Sequence, residues 1–340
     1  MNAERNTETE TLPSADDREY HKELLKSNRS KLDELEKRLS DFNLADFNEV
    51  KKGFYSEMFE TLIEDAGEGT IPGVFDIIAF NKKYNPEWKV NYKEIEQRIS
   101  NFIEKCFEKT LSQYEAAIAI IGQSKNIEEI EKRNPTASLD RNAYASCQLI
   151  AESLIPAIRS RTKGNIGLQR KLNVFESRAK RIMIQLENKT NQEKIEPYML
   201  VALKNQLSNK LLPPLTKENS KFFDIKFIQI IFDQIGVRDS VSEAMDNSME
   251  GVENDEVDFF NFIKSSKDPR DKRISSKLKK NGNFEFEADG IYGDILYLSI
   301  KYLQFKKYGN NPQKVTGILN ADTAQILLEK YKETKKLENQ

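Results

Sequence analysis

Histidine is almost absent from this sequence of 340 residues, which contains a single one, His21. A zinc-dependent amidase or peptidase needs at least two histidines or an equivalent ligand set, so this class is excluded and no metal site is expected. Cys–His and Ser–His–Asp hydrolases would need His21 as their base, and its place beside a polar N-terminal tail argues against both. The GxxxxGK[ST] and GxGxxG turns are also missing, so no cofactor is expected.

Cysteine is nearly as scarce, with only Cys106 and Cys147. The two lie far apart in the sequence, in apolar surroundings, and neither belongs to a paired motif. We therefore expect two buried thiols in a reducing compartment. A disulfide or a redox pair is the alternative.

Long apolar runs are missing as well. No stretch reaches about 18 apolar residues, and the longest candidate, 222–235, is interrupted by charged and polar side chains, so no membrane span is expected. Residues 1–20 show no basic segment followed by an apolar one, which predicts that the chain lacks a secretory signal and is made in the cytoplasm. A role outside the cell would then need lysis or a dedicated delivery machine.

An excess of charge of one sign is also lacking, because 53 Lys and Arg nearly balance 55 Asp and Glu, for a formal net charge of -2. The overall charge alone therefore gives no reason to expect binding to nucleic acid or to an acidic membrane. Apolar residues make up 38% of the chain, and 19 Phe and 12 Tyr are enough to fill cores. The length predicts about two domains.

Apolar residues recur at helical spacing through most of the chain, and no stretch alternates like a strand over any length, so the predicted fold class is mainly α. Residues 1–16 are polar and predict a disordered tail. Residues 17–236 are predicted to form one helical domain. Leucines at heptad spacing in its first helix fit an amphipathic helix packed on its own domain, or alternatively a short coiled coil. Further helices are predicted at 48–65, 91–121, 141–161 (with Pro156 expected to kink or end it), 168–187, 196–212 and 222–235.

The charge pattern changes after residue 236. Residues 238–258 are acidic and residues 264–280 are basic, which together predict a charged linker over 237–275. Asp246 with Gly251 five places later resembles a calcium loop. Val257 stands where such a loop needs a bidentate Glu, however, so no calcium site is expected. The basic part could also assist docking to an anionic polymer.

Two glycine-containing turns flank a helix near the C terminus. The first turn is DGIYG, residues 289–293, and the helix ends in Leu303-Gln304 before Tyr308-Gly309. The second turn is VTGILNADT, residues 315–323. Its glycine allows a turn conformation that a side chain would strain, and Asn320 or Asp322, with Thr323, can cap the next helix. This pattern resembles the small peptidoglycan-binding domain at the ends of bacterial and phage cell-wall hydrolases.

The resemblance implies a three-helix peptidoglycan-binding-like domain over 276–335, with peptidoglycan or a muropeptide as its partner. The sequence departs from the family pattern at mostly structural positions, which are Leu296, Leu303, Thr316 and Asn320. The implied ligand-binding residues are Asp289, Tyr292, Tyr302, Gln304 and Asn320. Tyr292 and Tyr302 would be stacking faces and the others polar contacts; core packing is the alternative for both tyrosines.

The resemblance favours a non-catalytic, cell-wall-directed binding protein, serving as a component or cargo of a phage or phage-tail-like injection system and contacting its particle or tube proteins. One alternative is a cell-wall glycosidase, either a muramidase-like effector or an endolysin, which needs only carboxylates. Its catalytic candidates are Glu64, at the end of a predicted helix, and Glu68, in the glycine-rich turn over 66–73. The other alternative is a structural protein that uses the C-terminal domain for protein docking.

Overall fold

The computed structural model describes residues 12–40, 71–137, 139, 142–220, 223–245, 255–281 and 291–338. These residues are mainly helical, as predicted, and they contain no β-strand beyond an isolated antiparallel bridge between Leu215 and Leu319. Within the same ranges, no helix is long and apolar enough to cross a membrane. The helix predicted at 48–65 lies outside the described residues.

The helices follow one another along the chain with few long connections. Their bounds are α1 (Ala15–Ser40), α2 (Ile71–Tyr84), α3 (Tyr92–Gln123), α4 (Ile127–Lys132), α5 (Ala143–Leu149), α6 (Ile155–Arg161), α7 (Ile166–Glu187), α8 (Lys189–Ser208), α9 (Ile225–Gln234), α10 (Val237–Met245), α11 (Asp255–Ser265), α12 (Pro269–Asn281), α13 (Asp294–Tyr308) and α14 (Ala321–Glu338). A π-helical segment, Ile150–Leu154, joins α5 to α6.

Several predicted boundaries need correction. Helix α1 begins at Ala15, inside the predicted tail, and α2 begins at Ile71, inside the predicted loop. Helix α8 begins at Lys189 rather than at residue 196, because Asn188 caps it: its side chain accepts the N–H of Thr190 at 3.0 Å. A local cap, rather than apolar periodicity, therefore sets the start of α8.

The helical path through Pro156 does not end at the proline. Pro156 lies in the first turn of α6, and the π-helical segment precedes it. The N–H of Ile155 bonds the carbonyl of Ile150, five residues earlier. A wider π turn accommodates the proline ring, which would otherwise clash with the carbonyl four residues before it.

The predicted charged linker, 237–275, is instead largely helical. Helices α10 and α11 and the start of α12 lie in it, and they bury Val241, Phe259, Ile263 and Ile274. These apolar residues face a core, while the numerous charges occupy the other helix faces. The high content of charged residues therefore led to a linker prediction although the apolar residues have helical spacing. Asp246 and Gly251 of the rejected calcium loop lie outside the described residues.

The chain divides into two compact units. Of the described residues, unit 1 comprises those up to residue 40, 71–111 and 145–181, and unit 2 comprises those from 112 to 144 and from 182 onwards. This division differs from the predicted domains, because the C-terminal helices share a unit with α8 to α11. Packing of α14 on α8 joins them.

In unit 1, α1 packs on α2, and two buried asparagines, Asn81 of α2 and Asn85 just after it, bond the backbone of α1. The side-chain amide of Asn81 donates to the carbonyl of His21 at 3.0 Å, and that of Asn85 donates to the carbonyl of Arg18 at 3.1 Å. Leu25 and Leu32 of the heptad pattern are buried. These contacts favour the amphipathic helix packed on its own domain over the coiled coil.

In unit 2, three side chains of α8 hold the loop that follows α4. Tyr198, Asn205 and Gln206 donate to the backbone carbonyls of residues 137, 135 and 136 at 3.0, 2.9 and 2.7 Å. Lys332 of α14 forms an ion pair with Glu131 of α4. The C-terminal helix is thus part of the unit's framework.

Both cysteines are buried thiols outside any disulfide, as predicted. Burial raises the pKa of the Cys106 thiol, so it stays protonated at neutral pH. We expect neither thiol to react with a disulfide reagent in the folded protein, and both to react once the chain is unfolded in guanidinium. Counting released chromophore before and after unfolding checks this, and a full equivalent released by the folded protein would contradict it.

Candidate recognition module

The second turn of the C-terminal pattern is built around Gly317. Its φ of +73° lies in the left-handed region, and a Cβ there would lie 3.0 Å from Cζ of Tyr297 and closer still to the ring's Cδ2 and Cε2. Tyr297 belongs to α13 and is itself buried. A glycine is required because the backbone conformation and the close approach both exclude a side chain.

Gln304 fixes this turn to α13. Its amide nitrogen donates to the carbonyl of Ile318 at 2.9 Å and to the hydroxyl of Thr323 at 2.8 Å. Its amide oxygen accepts the N–H groups of Thr316 and Gly317 at 2.8 and 2.9 Å. These four bonds use the full capacity of a glutamine side chain. Gln304, predicted to contact a ligand, is therefore buried, and its side chain holds the turn against α13.

Asn320, one of the residues predicted as a possible cap, directly precedes the last helix and caps it. Its side-chain oxygen accepts the N–H of Thr323 and also the Thr323 hydroxyl, both at 2.9 Å. The residue is partly exposed. Of the predicted contact residues that the structure describes, Asn320 alone keeps substantial exposure.

The two tyrosines predicted as stacking faces are buried instead. Tyr292 is 7% exposed, and its hydroxyl donates to the carbonyl of Gly317 at 3.0 Å. Tyr302 is 4% exposed; its hydroxyl donates to Glu256 at 2.6 Å, and its ring meets Phe259 edge-on at 5.2 Å. Core packing, the alternative, is what the structure has for both. Asp289 lies outside the described residues.

A buried ion pair lies beneath the turn. Lys301 of α13 is paired with Asp271 of α12, and their side chains are 3% and 0% exposed. The hydroxyl of Tyr297 lies 3.1 Å from a carboxylate oxygen of Asp271 and 3.1 Å from one of Asp268. The two buried charges therefore neutralise each other, and the carboxylate of Asp271 also accepts a hydrogen bond from Tyr297.

The tyrosine of this cluster is held in its neutral form. Burial and the neighbouring Asp271 and Asp268 carboxylates raise the pKa of Tyr297 well above its usual range. Burial also acts to raise the pKa of Asp268, but the N–H of Arg270 and the charge of Lys301 outweigh it, and the pKa is lowered. A charged carboxylate and a neutral phenol make a stable donor–acceptor pair.

Arginines of α12 clamp the start of α13. Arg270 donates to the carboxylate of Asp294 at 3.1 Å and to the carbonyl of Gly293 at 2.9 Å, and Arg273 reaches Asp294 at 2.6 Å. The guanidinium of Arg270 also lies 4.2 Å from the ring centre of Tyr297. Part of the basic stretch predicted as a hinge or docking segment is thus used inside the unit.

The sequence interpretation missed the cluster of Lys301, Asp271, Asp268 and Tyr297. The one local signal is Lys301 itself, a single lysine among apolar neighbours in the middle of α13. Its acidic partners are Asp271 in α12 and Asp268 just before that helix, in a segment predicted to be a charged linker. A buried pair of this kind is visible only once both helices are placed.

One accessible part of the module is the loop between α13 and α14. Gly309, Asn310, Gln313 and Lys314 are exposed there. The amine of Lys314 lies 4.8 Å from the ring centre of Tyr308, which is half-buried. The loop therefore presents amide groups and a cation beside part of an aromatic ring.

The described ranges hold no group of three or more His, Cys, Asp or Glu residues arranged to bind a metal ion. Glu64 and Glu68, the glycosidase candidates, lie outside these ranges. His21 lies on α1, stacked on Phe80 at 3.7 Å with its Nδ1 2.8 Å from the carbonyl of Asp17. The described residues therefore place no catalytic constellation around it.

The likeness to peptidoglycan-binding domains depends on residues 289–323. Comparisons of the chain with protein-family models, with curated proteins and with solved structures find no match. The resemblance therefore rests on the motif residues alone. Any function inferred from the resemblance has to be argued from the geometry of these residues.

Proposed function

We propose that this chain is a non-catalytic, cell-wall-directed binding protein whose C-terminal module recognises peptidoglycan or a muropeptide. One observation carries the proposal: the motif residues of the resemblance interlock. Tyr292 of the first turn bonds Gly317 of the second, and Gln304 of the intervening helix bonds both Thr316 and Gly317. These motif residues thus act together to hold the first turn, the intervening helix and the second turn against one another.

The recognition surface in this proposal is the exposed loop over residues 309–314, and not the buried tyrosines. Asn310 and Gln313 each offer a donor and an acceptor, which suits the acetamido groups of the glycan and the amides of the stem peptide. Lys314 adds a positive charge suited to stem-peptide carboxylates. Asn320, partly exposed, lies at the end of the same connection.

By the same resemblance, we propose a phage or phage-tail-like injection system as the setting, with particle or tube proteins as further partners. Unit 2 offers the framework for this role, because α14 is anchored to α4 and α8. The module would then be carried rigidly by the rest of its unit. This setting follows from the family likeness alone.

The test is co-sedimentation of the full-length protein with purified sacculi, with release of soluble muropeptides followed in parallel. Point variants are preferable to deletion of the module, since deletion would remove α14, which packs on α8 in unit 2. We expect binding without release, and we expect Asn310→Ala/Gln313→Ala to weaken it about thirtyfold, from the loss of two hydrogen-bonding groups worth about 1 kcal/mol each. Gln192→Ala, an exposed amide on α8, is the matched control and should bind normally.

Two other outcomes would overturn the proposal in different directions. Release of muropeptides would indicate the glycosidase alternative and make Glu64→Gln the next variant. Absence of both binding and release would indicate that the module docks another protein.

A further inference from the structure

Besides the basic stretch at 264–280, positive charge is concentrated in a second part of the chain, despite the formal net charge of -2. Residues 157–186, which include most of α6 and α7, contain eight basic residues and a single acidic one, Glu176. Glu176 is half-buried and already engaged by Arg159 and Lys180, each at 2.6 Å. The exposed side of α7 between residues 166 and 181 therefore carries no free negative charge.

Some of these cations are neutralised within unit 1. Arg161 pairs with Asp76 at 2.6 Å, Lys171 pairs with Glu104, and Arg178 pairs with Glu108 at 2.5 Å. Lys163, Arg170 and Arg181 are exposed, and the part of the chain that the structure describes gives them no acidic partner. These three cations are available to a ligand.

Exposed aliphatic side chains alternate with these three cations along the sequence. Ile166 and Val174 are 67% and 57% exposed, although most large apolar side chains of the described residues are buried. The order Ile166, Arg170, Val174, Arg181 follows spacings of four, four and seven residues, which place all four on one side of an α-helix. The resulting stripe is about 22 Å long at 1.5 Å per residue.

We propose that this stripe binds peripherally to an anionic phospholipid surface. The two aliphatic side chains would enter the boundary between headgroups and acyl chains, and the arginines would pair with lipid phosphates. This inference is independent of the wall-binding proposal. It rests on a different helix and a different kind of ligand.

The combination of the two residue types favours a lipid surface over other polyanions. A soluble phosphate polymer or a nucleic acid would use the arginines but would give the aliphatic side chains nothing to enter. An acidic protein would need a complementary shape, whereas Ile166 and Val174 protrude singly from a convex helix surface. A bilayer accepts such side chains without a matching pocket.

The test is flotation of the full-length protein with vesicles of phosphatidylglycerol and phosphatidylcholine in equal parts, compared with pure phosphatidylcholine. We expect binding to the mixed vesicles only. It should fall steeply between about 0.1 M and about 1 M salt, because the Debye length shortens from about 10 Å to about 3 Å.

Two variants separate the contributions of charge and apolar surface. Arg170→Glu/Arg181→Glu should lower vesicle affinity at least about tenfold, whereas Arg18→Glu/Arg29→Glu, the same charge change on exposed positions of α1, should leave it nearly unchanged. Ile166→Ser/Val174→Ser should also lower affinity about tenfold. Leu337→Ser, at another exposed aliphatic residue, is the control for this variant.

Several results would overturn the inference. Equal binding to pure phosphatidylcholine, or an equal loss in the α1 control, would show that the stripe is not the site. Normal binding by Ile166→Ser/Val174→Ser, together with full competition by soluble polyphosphate, would indicate a site for soluble polyanions. A lack of vesicle binding alongside arginine-dependent binding to polyglutamate would indicate an acidic protein partner.

Discussion

Replacing Lys301 by methionine should lower the free energy of unfolding by about 3–5 kcal/mol. The side chain of Asp271 is fully buried and would lose its cation, while the hydroxyl of Tyr297 at 3.1 Å would be left to stabilise its charge. A neutral hydrogen bond cannot replace the ion pair in a buried site, because the desolvation cost of the carboxylate remains. Chemical denaturation followed by circular dichroism measures the effect.

Two controls identify the unpaired charge as the cause. The double variant Lys301→Met/Asp271→Leu removes both charges and should recover most of the loss, since a well-packed apolar pair often equals a buried ion pair in stability. Lys306→Met, at an exposed position of the same helix, should change stability by no more than about 0.5 kcal/mol. If the double variant were as unstable as the single one, packing and not charge would explain the loss.

The helices that the sequence predicted well are those specified by local patterns. The apolar periodicity of α3 and α7 runs nearly their whole lengths, and both helices lie within two residues of their predicted bounds. The start of α8 was missed because its first turns are polar and Pro197 lies inside it. Its helical state there depends on the Asn188 cap and on packing within unit 2.

The recognition module shows the same division between local and distant determinants. The capping by Asn320 and the need for a glycine at 317 are local, and both were predicted. The burial of Tyr302 depends on Glu256 and Phe259, which belong to a segment read as a linker. An aromatic residue in a motif fits a core or a binding face equally well until its neighbours are known. The linker prediction and the stacking prediction therefore failed for the same reason: neither took account of the contacts between Tyr302 and the segment that contains Glu256 and Phe259.

Substituting alanine at Gly317 should cost about 2–5 kcal/mol of stability. The left-handed φ of +73° accounts for about 1–2 kcal/mol, and crowding against a buried ring for about 1–3 kcal/mol. Tyr297 cannot turn aside easily, because its hydroxyl is bound to Asp268 and Asp271. Any shift of the turn would instead strain the bonds from Gln304 to Thr316 and Gly317.

Gly236→Ala is the matched control for this substitution. Gly236 has a φ of +72°, and a Cβ there would have nothing within 4 Å, so alanine should cost only about 1–2 kcal/mol, the backbone contribution. The difference between the two variants in urea denaturation measures the contact with Tyr297 alone. An equal loss in both would mean that the turn is not packed against α13. The interlocking of Tyr292, Gln304 and Gly317, on which the proposed function rests, would then lose its physical basis.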